Sequence, residues 1–224
     1  MSWGLVTICM PPKKFDTIVQ RVYSKALPLV GVNSKIKREW RTLPERYQGL
    51  GMPNMPLLSL QEKISFLQGN WGFPGQSHSN ALAMAYENFL IEVGLYGSPL
   101  KWSYSDYGHL STQSTWFQNL WLLTHTYRVD ISFRAEEMLQ GIRENDRPLM
   151  AEFYRVGYRA KQLVALNVVR CYQNLLHVSD IVKCDGNTLD EFVLSDSIKT
   201  SVLYTFPRED PTTLDFKLWD EAVC

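Results

Sequence analysis

Between residues 31 and 56 the chain places three glycines (Gly31, Gly49, Gly51) and three prolines (Pro44, Pro53, Pro56). No long helix or strand can cross a segment so punctuated, and it reads as loop. Within it lies the block Tyr47-Gln48-Gly49-Leu50-Gly51-Met52-Pro53-Asn54. No reaction needs these residue types at this spacing. The two glycines suit positive φ in a tight turn. Gly49-x-Gly51 is too short for a phosphate cradle, and it lacks both the third glycine and a clear preceding strand. The expected role of the block is structural.

Helical periodicity lies on both sides. Pro11-Pro12 before Lys13 can open a helix, because proline is tolerated in a first turn. Phe15, Ile18, Val19, Val22, Ala26 and Leu27 recur on one face of it, with Lys14, Arg21 and Lys25 largely on the other. Pro28 should end or kink it. A second helix is expected over 57–68, with Leu57, Leu60, Ile64 and Leu67 on one face and Gly69-Asn70 closing it. A third should run from a cap at Ser77 or Ser79 to Gly94. After a long aromatic loop over 95–111, Ser114 can cap a fourth helix over 115–127 that carries Trp116, Leu120 and Trp121. Asn145-Asp146-Arg147-Pro148 reads as another helix start with Asp146 as the cap, interrupted at Gly157 and followed by a helix over 158–177.

Short strands are expected at 129–133 and 201–206, and the apolar start, residues 1–10, reads as the end of a strand. The fold class is therefore mainly α: an irregular helical array with long loops and minor short strands. Three regions are expected: a basic segment with its loop over 1–56, a helical domain over 57–186, and an acidic, weakly structured tail over 187–224.

The charge is uneven. The 224 residues have no net charge, yet residues 1–50 hold nine Lys/Arg against three acids, and residues 184–224 hold nine acids against three Lys/Arg. Head and tail, at +6 and −6, suit different partners, or each other. The four cysteines are widely spaced and form no Cys-x-x-Cys, which fits reduced thiols in an intracellular protein, nuclear or cytoplasmic. No apolar run approaches the roughly 18 residues of a membrane span, and the start lacks the basic region of a signal peptide. No membrane partner is expected.

Catalytic chemistry finds little support. Two-metal nucleotidyl transfer needs converging carboxylates. The chain has no Asp-Asp pair, and Glu209-Asp210 sits before Pro211 in the acidic tail. Cys171, His177 and Cys184 are spaced too widely for a usual structural zinc site. His109 near Asp106 and Ser111 is the one local cluster of hydrolase type, without a glycine-flanked nucleophile turn. No catalytic residue, metal or cofactor is expected, and the chain is not expected to be an enzyme on its own.

Binding of nucleic acid is the functional signal with physical content. Lys35, Lys37, Arg38, Arg41 and Arg46 fall within twelve residues of the loop. Such a cluster contacts RNA or DNA phosphates without sequence preference, while Trp40, Tyr47 and Trp71 are placed to stack on bases. A second cluster, Arg155, Arg159, Lys161 and Arg170, surrounds Gly157, and its basic second helix hints at a helix-turn-helix. The alternative is a helical protein–protein interaction module that uses the Trp-rich middle, Trp116 and Trp121 above all.

Two further blocks join the Gly-Leu-Gly block. One runs from Tyr104-Ser105-Asp106-Tyr107-Gly108-His109 to Trp116 and Leu120-Trp121. The other runs from Asn145-Asp146 through Phe153, Gly157-Tyr158, Leu166-Asn167 and Arg170 to Asp180-Ile181 and Gly186. In order and spacing they resemble the region that follows the polymerase palm in retrotransposon-type reverse transcriptases, over about residues 15–195. The resemblance implies that the first helix and basic loop form a thumb-like segment and that a helical extension follows. The chain would then be a non-catalytic C-terminal fragment of an RNA-directed DNA polymerase. Lys35, Lys37, Arg38 and Arg41 would grip the nucleic-acid backbone, and an upstream polymerase palm segment would be a partner. The palm and its metal-binding carboxylates do not appear in this chain.

Overall fold

The computed structural model describes residues 3–73, 75–95, 97–111, 115–131, 143–194 and 210–224. The fold is mainly α. The described helices are α1 (Trp3–Thr7), α2 (Pro12–Leu29), α3 (Arg38–Thr42), α4 (Met55–Asn70), α5 (Ser77–Val93), α6 (Tyr104–Tyr107), α7 (Trp116–Tyr127), α8 (Leu149–Val156), α9 (Ala160–Tyr172) and α10 (Thr213–Val223). Short 3-10 turns occur at Glu45–Tyr47, Pro99–Lys101, Val178–Asp180 and Glu191–Leu194. Among the described residues there is no strand, only isolated bridges between Pro148 and His177 and between Val182 and Leu189. Residues 129–131, expected to start a strand, are irregular, while 132–133 and the expected strand at 201–206 lie outside the described residues. The chain forms two compact units. Unit 1 is Met1–Leu82 with Ser114–Val129, and unit 2 is Ala83–Gln113 with Asp130–Cys224.

In unit 1, α1, α2 and α7 pack on α4. Leu60 and Leu67 of α4, Phe15 and Leu27 of α2, and Phe117, Leu120, Trp121 and Leu123 of α7 are buried. Asn54 starts α4 by accepting the Leu57 N–H, and Pro56 fits the first turn, where no helical N–H is needed. Thr115 does the same for α7 through the Gln118 N–H; Ser114, the cap expected from sequence, lies outside the described residues.

The apolar start is helical over Trp3–Thr7 rather than the end of a strand. Its carbonyls are taken by side chains from helices instead of by a neighbouring strand. Ser59 Oγ donates to Leu5 O (3.0 Å). Lys63 Nζ (2.7 Å) and Trp116 Nε1 (2.9 Å) both donate to Val6 O, and Asn119 Nδ2 reaches Met10 O (3.1 Å). These bonds satisfy main-chain groups that would otherwise be orphaned.

Helix α2 keeps Pro28 in its last turn and stops one residue later, where the Val32 N–H returns to Leu27 O. Of its expected inner face only Phe15 and Leu27 are buried, and Ile18 and Val22 are exposed.

In unit 2, α8 and α10 pack on α9. Gly157, at φ +124°, ends α8. Helix α9 is shorter than expected, because Asn174 turns into the left-handed region and the Leu175 N–H returns to Arg170 O. Asp146 does not cap α8, whose N-cap is Pro148; its carboxylate instead accepts from the Ser179 main chain and hydroxyl. Of the acidic tail, residues 187–194 and 210–224 are described, and the second stretch carries α10. Thr212 and Asp215 form a capping box at the start of α10. Trp219 of α10 is fully buried edge-on to Phe153 (5.6 Å between ring centres), and Phe216 meets Tyr172. The aromatic loop over 95–111 contains α6, whose Tyr107 is buried edge-on to Trp102 (5.5 Å).

The C-terminal end of α5 is closed by α9. Arg170, only 1% exposed, donates to the carbonyls of Ile91, Glu92 and Leu175 and to Asn167 Oδ1. Asn167 Nδ2 adds bonds to Glu92 O and Leu110 O. Gly94 lies against this guanidinium at φ +67°, and a Cβ there would come within 2.7 Å of Arg170 Cζ.

Candidate nucleic-acid interface

The Gly-Leu-Gly block builds the site by folding back on α3. The Leu50 N–H donates to Trp40 O (3.0 Å), the Gly51 N–H to Leu43 O (3.0 Å) and the Met52 N–H to Arg41 O (2.8 Å). The two glycines serve different ends. Gly51 takes φ +59°, as a tight turn requires, whereas Gly49 is needed for close approach: a Cβ there would lie 1.9 Å from Leu43 O. Main chain cannot swing aside as a flexible side chain can. Gly49→Ala is therefore expected to cost about 1–3 kcal/mol, as overpacking does, seen as a lower urea midpoint for unit 1. The segment expected to be all loop holds α3 and a 3-10 turn, because residues 32–43 carry neither Gly nor Pro and have room for one helical turn.

The five cations clustered over residues 35–46 lie in unequal settings. Lys35 and Lys37 are exposed. Arg38 is exposed, pairs with Asp16 (2.6 Å) and reaches Asn54 Oδ1 (3.4 Å). Such a surface pair is worth about 0–1 kcal/mol and leaves the cation able to exchange partners. Arg46 is exposed with its guanidinium over the Tyr47 ring, 4.9 Å from the centre. Arg41 differs: it is 8% exposed, its Nη1 donates to Gln20 Oε1 (2.6 Å), and its guanidinium lies 5.9 Å from the Tyr23 ring centre. Its Nε is buried with no hydrogen-bond partner. Trp40 (49%) and Tyr47 (57%) are exposed and Trp71 is half-buried. On α2, Lys13, Lys14, Arg21 and Lys25 are also exposed. The Arg38–Asp16 and Arg41–Gln20 contacts set α3 against this helix. Beside Arg41 is a cavity of about 50 Å³, bounded by α2, α3 and the start of α4.

The second cluster is not a set of matching free charges. Arg155 is exposed and pairs with Glu152 (2.7 Å), which also takes Arg147 (2.9 Å). Arg159 is exposed but its guanidinium lies over Tyr154, 3.8 Å from the ring centre, and donates to the Tyr154 and Tyr158 carbonyls. Lys161 is exposed, whereas Arg170 is fixed inside unit 2.

The other sequence candidates are placed as follows. Ser111 Oγ donates to the Glu92 carboxylate (2.9 Å) in the interior. Burial pushes the His109 pKa down, and Asp106 opposes this more weakly. Cys171 and His177 are buried and Cys184 is exposed. Among the described residues no three His, Cys, Asp or Glu side chains are grouped to hold a metal, and no helix is long and apolar enough to cross a membrane. Trp121 is fully buried, and Trp116 packs edge-on against Phe66 and Phe117. Sequence reasoning missed Gln20 and Asn54 as residues that position the arginines. No family model, curated protein or solved structure matches this chain.

Proposed function

We propose that unit 1 binds nucleic-acid backbones without sequence preference and that the chain is non-catalytic on its own, as the resemblance to the post-palm region of retrotransposon-type reverse transcriptases implies. This reading places it inside the cell, in nucleus or cytoplasm. The observation that carries it is exposure. Lys13, Lys14, Arg21, Lys25, Lys35, Lys37, Arg38 and Arg46 all reach solvent, and among the described residues only Arg38 of these pairs with a carboxylate. Exposed cations that release counterions from phosphates supply sequence-independent affinity. Trp40 and Tyr47 offer stacking faces beside them. The triple variant Lys35→Glu, Lys37→Glu, Arg46→Glu is expected to weaken RNA and DNA binding about tenfold or more, equally across sequences and with unchanged helix content. Wild-type affinity in that variant would contradict this placement.

A second reading has its own observation. Ile18, Val22, Leu29 and Val30 are exposed on and just after α2, and such a stripe suits an apolar protein surface, such as the palm segment that the resemblance implies. The protein-interaction role assigned from sequence to Trp116 and Trp121 has less to stand on, because both are engaged within unit 1.

A further inference from the structure

We propose that the cavity beside Arg41 is a seat for one phosphate oxyanion. Its walls include Asp16, Gln20 and Tyr23 of α2, Arg38 and Arg41 of α3, and Asn54 at the start of α4. At about 50 Å³ it has room for roughly three or four waters. That is room enough for a small tetrahedral oxyanion.

Arg41 supplies the chemical argument. It is a buried cation with no carboxylate partner among the described residues, and its Nε–H is buried without an acceptor. A buried charge without a counter-ion is unfavourable, and an anion in the cavity that Arg41 lines relieves it. Two devices hold the guanidinium ready. Gln20 fixes Nη1, and the Met52 N–H, delivered by the glycine turn, anchors the Arg41 carbonyl. Arg38 brings a second fork to the same cavity, at present turned to Asp16. Planar forks of this kind suit phosphate oxygens. Asp16 opposes an anion and occupies Arg38, so the seat is a weak one that the removal of Asp16 should strengthen.

The seat rests on the nucleic-acid reading only for the source of its phosphate. The test titrates the full chain with inorganic phosphate, against chloride at equal ionic strength, and follows Tm. It then titrates a short single-stranded RNA by anisotropy. A saturable rise in Tm with phosphate but not with chloride is expected. Asp16→Asn should tighten phosphate about 3- to 10-fold by removing one nearby negative charge. Glu39→Gln, the same charge change on an exposed residue outside the cavity, should leave it unchanged. Arg41→Gln should abolish saturation while helix content is kept; if that variant does not fold, the Asp16 and Glu39 pair still decides. A rise in Tm that only tracks ionic strength, or equal effects of D16N and E39Q, would overturn the seat. RNA binding with no saturable phosphate effect would also overturn it and leave the surface reading standing. Saturable phosphate binding without RNA binding would keep the seat, with free phosphate as the ligand, and refute the nucleic-acid reading.

Discussion

Replacing Arg170 with methionine is expected to destabilise unit 2 by roughly 3–5 kcal/mol, because several acceptors lose a charged donor at once. Methionine keeps an unbranched apolar stem and removes the guanidinium with all its donors. The guanidinium closes the end of α5 by donating to the carbonyls of Ile91 and Glu92, and it also ties Leu175 O and Asn167 Oδ1. In the variant Glu92 O keeps Asn167 Nδ2 at 2.9 Å, and Asn167 Oδ1 keeps only the weak Cys171 thiol at 4.0 Å. Ile91 O, buried, and Leu175 O, part-buried, lose theirs, at about 1–3 kcal/mol for a buried acceptor before relaxation. Arg170→Lys should recover a minority of the loss, because one ammonium cannot reproduce the fork. The check is a urea titration together with amide hydrogen exchange in residues 83–93 and α9. A midpoint and exchange pattern like those of the wild type would show that the network contributes nothing.

Lys63→Met should act in the opposite direction. At pH 7 the variant is expected to be as stable as the wild type or up to about 3 kcal/mol more stable, as when a buried ion gives way to an apolar side chain of similar volume. Lys63 is fully buried, and its Nζ lies 5.1 Å from the Trp116 ring centre. Its one named acceptor, Val6 O, also receives the Trp116 indole N–H, so the substitution orphans nothing there. Burial lowers its pKa from 10.5 to about 8, and Cys9 opposes this more weakly. Between these values the unfolded chain holds more protons than the folded one. Stability therefore rises with pH through the window from about 8 to 10.5 and stays at its lower level beneath it. The full difference corresponds to roughly 3 kcal/mol. Tyr107, pushed up to about 12 mainly by burial, acts the other way, but only above its ordinary value of 10. Urea midpoints at pH 7.5 and 9.5 separate the two: the wild type should gain stability and the methionine variant should not. Parallel pH curves would sink this account of Lys63.

Both residues show where sequence reading ran out. Periodicity located α4, α5, α7 and α9 because each buries apolar residues at helical spacing, and such spacing is local information; the same pattern located α2, though only Phe15 and Leu27 of its apolar face are buried. The helix at Trp3–Thr7 reads as a strand from sequence because its carbonyl partners, Ser59, Lys63 and Trp116, stand more than 50 residues away. Arg170 read as part of a basic surface because nothing adjacent to it in the sequence reports the end of α5. The cap at Asn54 and the box at Thr212 and Asp215 were legible and went unread. Within the candidate site, the exposure of Lys35, Lys37, Arg38 and Arg46 follows from charge in a loop. The burial of Arg41 does not, since it depends on Gln20 and Tyr23 of α2.

The central claim is backbone binding by unit 1, and its most direct test is the salt dependence of affinity. A labelled RNA and a DNA duplex would be titrated with the full chain by anisotropy between 50 and 200 mM salt. The account expects log affinity to fall linearly with log salt. A slope of about −3 to −5 would correspond to roughly four to six neutralised phosphates. The Lys35→Glu, Lys37→Glu, Arg46→Glu variant should flatten it. No binding at 50 mM salt, or binding that salt does not weaken, would contradict the account.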